Sequence, residues 1–351
     1  MTMKYTVTRK SVSKLTKEEL AGWRVLLKRS AHSAQIFSSP EFCISVDESW
    51  SRVQVVMVRE GHSIKLVLPV QRDNGVGGML GAFSQVGLGV SDYFDVVSDT
   101  CEKYDLAAIL RKAGVSSLYY SHAPARIKLG KLPLKLTGAT YRIVTTEATQ
   151  NLWEIAQETN PSYWIDAVRK LRRLEREVGP VQFSWHDAGE EVFNILIEAK
   201  LQQYTASGHV NAPLFDKRTQ ATLRVLLDTE GGGCKGLLSV LRARGTIIAL
   251  HLGLTTRTHL HNWFPVYLQS YSRHSPGKVL LMEILKNAEI NGVTSFDFGE
   301  GLAEYKVNAA NEVEELGVGL LMNGVLGGLS AIPRRLQWRI KSTFSMRLSK
   351  E

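Results

Sequence analysis

The residues best suited to chemistry fall between Tyr271 and Lys306. Ser275-Pro276-Gly277-Lys278 opens a helical pattern, with proline at the favoured first position. A helix start offers unpaired N–H groups and a partial positive charge, which suits a phosphate. Arg273 and Lys278 add cationic charge there; a simple helix cap is the plainer use of the same residues. Downstream, Phe296-Asp297-Phe298 reads as a short strand in which both rings face one way and Asp297 the other. A carboxylate on so apolar a strand must be paired or solvated. Asp297 could therefore orient or deprotonate an amine, or form a salt bridge with Lys306, which could itself bind an acidic acceptor. Tyr305 follows in the next turn, as a reactive phenol or as a core tyrosine with a satisfied hydroxyl. His251, alone on the apolar run TIIALHLGL, could act as a base or simply fill the core.

Other motifs exclude themselves. Asp297-Phe298-Gly299 spells the metal-binding triplet of protein kinases, but SRHSPGKVL stands where the catalytic loop should be. Gly277-Lys278 resembles the end of a phosphate loop, yet Ser272 and Val279 occupy the positions that require glycine and a hydroxyl. His259 and His261 share a strand face without a third nearby ligand, so no metal site is expected.

These candidates need elements to hold them. Ser162–Val178 reads as a charged helix stopped by Gly179-Pro180, and VQFSW (Val181–Trp185) as a strand. Helices follow at about Glu190–Thr205 and Lys217–Leu227, the second capped by Asp216. Three strands come next: GLLSVLRA, TIIALHLGL and HLHNWFPVYL, the first two joined by the tight turn Arg244-Gly245. A helix from Lys278 to Ile290, the strand SFDF, a helical turn and a strand near Gly317–Met322 complete the pattern. That order, β-α-α-β-β-β-α-β-α-β, is the order of the acyl-CoA-dependent N-acyltransferase (GNAT) fold.

The first half looks like a weaker copy. Thr16 and Glu19 form a capping box opening one helix, and Ser39-Pro40 opens a second. The strands RVQVVMV and IKLVLPV flank Gly61-His62, and a helix near Glu102–Ala113 precedes the strand SSLYYS. The expected architecture is α/β (α+β): a tandem of GNAT-like folds, with mixed sheets flanked by helices. The borders expected are a GNAT-like half over 1–150, a GNAT half over 151–330 and a basic tail over 331–351. The two halves would join between about Thr145 and Pro161.

The stretch SYSRHSPGKVLLMEILKNAEINGVTSFDFGEGLAEYK resembles the CelD/BcsL-like acetyltransferases, a GNAT branch linked to cellulose and surface-polysaccharide synthesis. Ser275-Pro276-Gly277, Phe296 to Gly299, Gly301 and Glu304-Tyr305-Lys306 carry the likeness, with RKLRRLEREVG and TIIALHLGL upstream. The resemblance implies acetyl-CoA or another acyl-CoA as donor. It also implies an acceptor amine on a sugar or cell-envelope precursor. Arg273, Ser275, Gly277 and Lys278 would then bind the donor's pyrophosphate. Asp297, Tyr305, Lys306 and His251 would be the catalytic candidates, with Tyr305 protonating the departing thiolate. A Fem-like transferase, which takes an aminoacyl group from charged tRNA, is the main alternative; a non-catalytic scaffold is the other.

Composition sets outer bounds. With 43 Lys and Arg against 34 Asp and Glu, the chain carries +9. That favours anionic partners without choosing one. No nucleic-acid module is visible, so tRNA enters only under the Fem-like alternative. Three scattered cysteines and an N-terminus without an apolar run are what a cytoplasmic protein would show. Leu316–Pro333 is uncharged but glycine-rich, and reads as a buried strand better than as a membrane span. Beyond it, Leu336, Ile340, Phe344 and Leu348 form a stripe among Arg334, Arg335, Arg339, Lys341, Arg347 and Lys350. That amphipathic helix could rest on an anionic membrane or pack against its own domain.

Overall fold

Local capping chemistry fixes the first elements of the chain, seen in a computed structural model that describes residues 5–30, 33–98, 103–125, 132–145, 150–231, 233–332 and 334. In chain order they are β1 (Thr6–Ser11), α1 (Lys17–Arg29), α2 (Pro40–Trp50), β2 (Val53–Glu60), β3 (Ser63–Arg72), α3 (Gly75–Met79), β4 (Ala82–Ser84), β5 (Val97–Ser98), α4 (Leu106–Lys112) and β6 (Ser117–Pro124). Thr16 and Glu19 close the expected capping box on α1, and the Ser39 side chain accepts from the Phe42 N–H at the start of α2. Helix α4 begins later than the expected Glu102, because the Asp105 carboxylate accepts the Ala108 N–H and caps it there.

The second set comprises β7 (Lys135–Val144), α5 (Leu152–Thr159), α6 (Pro161–Glu177), β8 (Val181–Ser184), α7 (Glu190–Ala206), α8 (Lys217–Leu227), β9 (Lys235–Ala243), β10 (Thr246–Thr255), β11 (His259–Tyr267), α9 (Pro276–Ala288), β12 (Ser295–Glu300), α10 (Glu304–Ala309), β13 (Glu312–Met322) and α11 (Gly324–Ser330). From β8 to β13 this is the element order read from the sequence. Strand β7 and helix α5 were not.

The described residues of Met1–Thr137 and Glu315–Glu351 form one compact unit, and those of Gly138–Glu314 the other. Both units use one strand order, β1-β2-β3-β4-β6-β13 in the first and β8-β9-β10-β11-β12-β7 in the second. Pairing is antiparallel throughout except at β4–β6 and β11–β12, which occupy the same place in each order. The repeat therefore extends to topology and strand direction. The closing strands are exchanged along the chain: β13 follows the second unit's elements yet pairs with β6, while β7 follows β6 yet pairs with β12. This exchange puts the unit borders at 137/138 and 314/315, away from the expected 150/151 and 330/331.

In the second unit α6 buries Trp164, Ala167 and Leu174 along one stripe, against Val279, Met282 and Leu285 of α9 in a shared core. Spacings of three and seven residues keep that stripe on one helical face. Each large side chain so buried contributes about 1.5–3 kcal/mol. Leu316–Pro333, weighed above as a span, supplies most of β13 and the short α11 instead. Among the described residues no helix is long and apolar enough to cross a membrane. The amphipathic helix expected beyond Pro333 lies outside the described residues, apart from Arg334, whose guanidinium meets Asp73 at 3.0 Å.

Candidate active site

Strands β11 and β12 run parallel and pair only through His259–His261 and Ser295–Asp297. Beyond that point β11 continues to Tyr267, paired on its other edge with β10. Beside this free edge lies a cavity of about 430 Å³. Its walls include Gly277, Lys278 and Leu281 of α9, Asn262 and Tyr267 of β11, His251 of β10, Lys200 and Gln203 of α7, Tyr163 and Tyr305.

Helix α9 starts on a strained residue. Ser275 sits in the left-handed region (φ 51°, ψ 51°), and its side chain makes no capping bond. A left-handed non-glycine residue costs roughly 1–2 kcal/mol, and such strain collects at ligand sites. His274, directly before it, is buried, and its Nε2 lies 2.9 Å from Glu177 Oε2, which ties the turn to α6. Gly277 leaves the entry open: a Cβ there would meet only Tyr267, at 3.5 Å.

The four expected donor-binding residues take different places. Gly277 and Lys278 line the cavity. The Lys278 ammonium bonds Asp166 Oδ2 at 2.9 Å and lies 4.0 Å from the Tyr163 ring centroid. That hydrogen bond, with help from Arg169, holds the Asp166 carboxyl below the usual range. Ser275 makes the turn itself. Arg273 is exposed, its guanidinium 3.8 Å from Glu177 Oε2.

The four catalytic candidates also separate. Tyr305 lines the cavity; burial pushes its phenol up, partly offset by a hydrogen bond with the Asn262 side chain. His251 lines it too. Burial, with His261 and Lys200 nearby, pulls its imidazole down to about 3, so the ring is neutral at pH 7. Among the described residues neither of its ring nitrogens has a hydrogen-bond partner. Gly253, two residues on along β10, makes room for that ring: a Cβ there would fall 2.6 Å from His251 Cε1.

Asp297 and Lys306 lie outside the cavity lining. Asp297 is buried, and its Oδ1 accepts from the Thr140 hydroxyl and the Gly299 N–H, each at 2.8 Å. Lys306 donates to the carbonyls of Glu300 at 2.7 Å and Gly299 at 3.2 Å, which pins the loop after β12.

Sequence reasoning missed Lys200, Gln203, Asn262, Tyr163 and Tyr267. In EAKLQQY the lysine looks like any solvated helix lysine, and only the packing of α7 on β11 buries it. Burial lowers the Lys200 ammonium to about 8.

Residues 166–307 match the family described as acetyltransferase (GNAT) domain. No curated protein matches the chain. Among solved structures, FemX is similar at 9% identity and a TM-score of 0.64, covering 91% of this chain and 97% of that one. L-PGS from Bacillus licheniformis follows at 12% identity and 0.55, covering 92% and 96%. A conserved protein of unknown function from Bacteroides thetaiotaomicron is similar at 10% and 0.55, covering 86% and 97%. At such identities the likeness is one of fold, and it extends over both units. Residues 166–307 thus resemble an acetyltransferase (GNAT) domain, within a chain that shares the fold of FemX along nearly its whole length.

Proposed function

We propose that the second unit transfers an acyl group, acetyl in the simplest case, from an acyl-CoA to an amine on a sugar or cell-envelope precursor. The single observation that carries this reading is the meeting of the α9 start and Tyr305 in one cavity. Pyrophosphate suits the helix start at Ser275–Lys278, where N–H groups and the dipole favour an anion. The edge of β11 past His261, unpaired with β12, suits the amides of a pantetheine chain at positions other than Pro265, whose carbonyl Lys200 holds, and Gly277 leaves room for close approach. When bound, such a donor supplies the thioester.

The chain's own residues then have definite tasks. Tyr305, kept protonated by burial, can give its proton to a leaving thiolate. His251, neutral at pH 7, can accept a hydrogen bond from the incoming amine through one ring nitrogen. Asp297, Thr140 and Lys306 hold β7, β12 and the following loop in place. The CelD/BcsL-like resemblance supports a polysaccharide or envelope setting at the cytoplasmic face. The basic residues beyond Pro333 are in keeping with that setting.

The fold shared with FemX favours a second reading, transfer of an aminoacyl group from charged tRNA. Calorimetric titration with acetyl-CoA and, separately, with aminoacyl-tRNA tests the two. Saturable binding of acetyl-CoA supports the first; binding of the tRNA alone replaces it with the second.

A further inference from the structure

Lys200 presents an unbalanced charge to the cavity. Its ammonium donates to the Pro265 carbonyl at 2.7 Å and to Gln203 Oε1 at 2.9 Å, both neutral groups. Among the described residues it has no carboxylate partner, and the residue is only 8% exposed. An ammonium buried without a counter-charge is costly; two of its three donors go to those bonds, and the Tyr204 ring, its centroid 5.1 Å away, is neutral as well. The second lysine on the wall differs, since Asp166 neutralises Lys278. Among the described residues no aspartate or glutamate lines the cavity.

His251 supplies the second observation. It stands directly opposite Pro265 in the β10–β11 ladder, the residue whose carbonyl holds Lys200. The residue is 1% exposed and lines the cavity, with both ring nitrogens unpartnered among the described residues. A neutral imidazole can donate one N–H to an anion without adding a second positive charge. Gly253 preserves the space that this ring fills.

We propose that Lys200 and His251 form a recognition site for a carboxylate in this cavity. Resting on the acyl-transfer reading, the acceptor amine would then belong to a molecule that also bears a carboxylate, such as an amino acid or a carboxylated sugar. One cation beside one neutral donor balances a monoanion. A phosphate dianion would leave a net negative charge buried, and an acceptor carrying only its amine would leave Lys200 uncompensated.

Four probes built on one phenyl ring test this by calorimetry: benzoate, its near-isostere benzamide, benzylammonium and phenyl phosphate. Benzoate should bind at least about tenfold more tightly than benzamide or benzylammonium, a difference of about 1.4 kcal/mol. Lys200→Met should erase the preference and Lys200→Arg should keep it, with thermal melting confirming that both fold. Equal binding of benzamide overturns the proposal, as does a preference that survives in folded Lys200→Met. Tighter binding of phenyl phosphate overturns the carboxylate assignment in favour of phosphate. Acetyl-CoA titrated into the same preparation tests the donor reading separately, because the benzoate result does not depend on it.

Discussion

Thr140 on β7 donates its hydroxyl to Asp297 on β12 at 2.8 Å, across the strand pair that closes the second unit's sheet. Next to it in the ladder, Arg142 stands opposite Asp297 and bonds Glu314 and Glu312, each at 2.8 Å. Burial works against the Arg142 charge, but Glu314, Asp297 and Glu312 together hold it above its ordinary value. On the other side His261 Nδ1 lies 3.8 Å from Asp297 Oδ1. The carboxylate is therefore a junction between β7, β12 and β11.

Asp297→Asn should act on stability first. It keeps an acceptor for Thr140 and the Gly299 N–H but removes the charge facing Arg142, at a cost of about 1–3 kcal/mol. Denaturant unfolding should show that loss, while acetyl-CoA affinity of the folded protein stays near wild type. Unchanged stability with lost turnover would give Asp297 a part in the reaction.

Tyr305→Phe should do the reverse. Losing the Asn262 bond costs about 1 kcal/mol, whereas losing a general acid slows turnover about 10²–10⁴-fold. Burial raises this phenol, so wild-type rate should not fall through its ionisation until the pH passes about 10. A variant with full activity would leave Tyr305 as wall only.

Lys200 ties stability to pH. Its folded value of about 8 lies below the unfolded value of about 10.4. Between those limits the unfolded chain holds more protons, so this residue's contribution to stability rises with pH. Below about pH 8 its buried charge costs the full penalty. Unfolding curves of wild type and Lys200→Met, compared from pH 7 to 10.5, should converge or cross in wild type's favour as pH rises. A constant gap would mean that the burial penalty is absent. Benzoate affinity should fall over the same range, as the ammonium loses its proton.

Lys278→Glu should weaken acetyl-CoA binding by tenfold or more, about 1.4 kcal/mol, since it places an anion at the helix start. It also sets two carboxylates together at Asp166, so a drop in melting temperature should accompany it. Lys278→Met removes the charge without that repulsion and should show a smaller loss of affinity.

Much of this was legible in the sequence because it is local. Thr16 with Glu19, Ser39-Pro40 and the Arg244-Gly245 turn each fix an element through neighbours a few residues away, and all three appear as read. The order from β8 to β13 followed for the same reason. β7 was missed because KLTGATYRIV lacks sharp turn signals and finds its partner β12 some 150 residues later. The same non-local exchange moved the unit borders. Gly277, Lys278, Tyr305 and His251 do share one cavity, but Asp297 and Lys306 do not join them there. Charge alone cannot show whether a lysine or an aspartate faces a cavity or a strand junction, and Lys200 escaped notice for that reason.

Calorimetric titration of acetyl-CoA into wild type and Gly277→Val tests the central claim most directly. The Gly277 position leaves space before Tyr267 that a valine would fill, while the helix start itself tolerates the change. Saturable binding to wild type, weakened at least about tenfold in a variant that melts normally, is the predicted result. Absence of acetyl-CoA binding to folded wild type, or equal affinity in both proteins, would contradict the account.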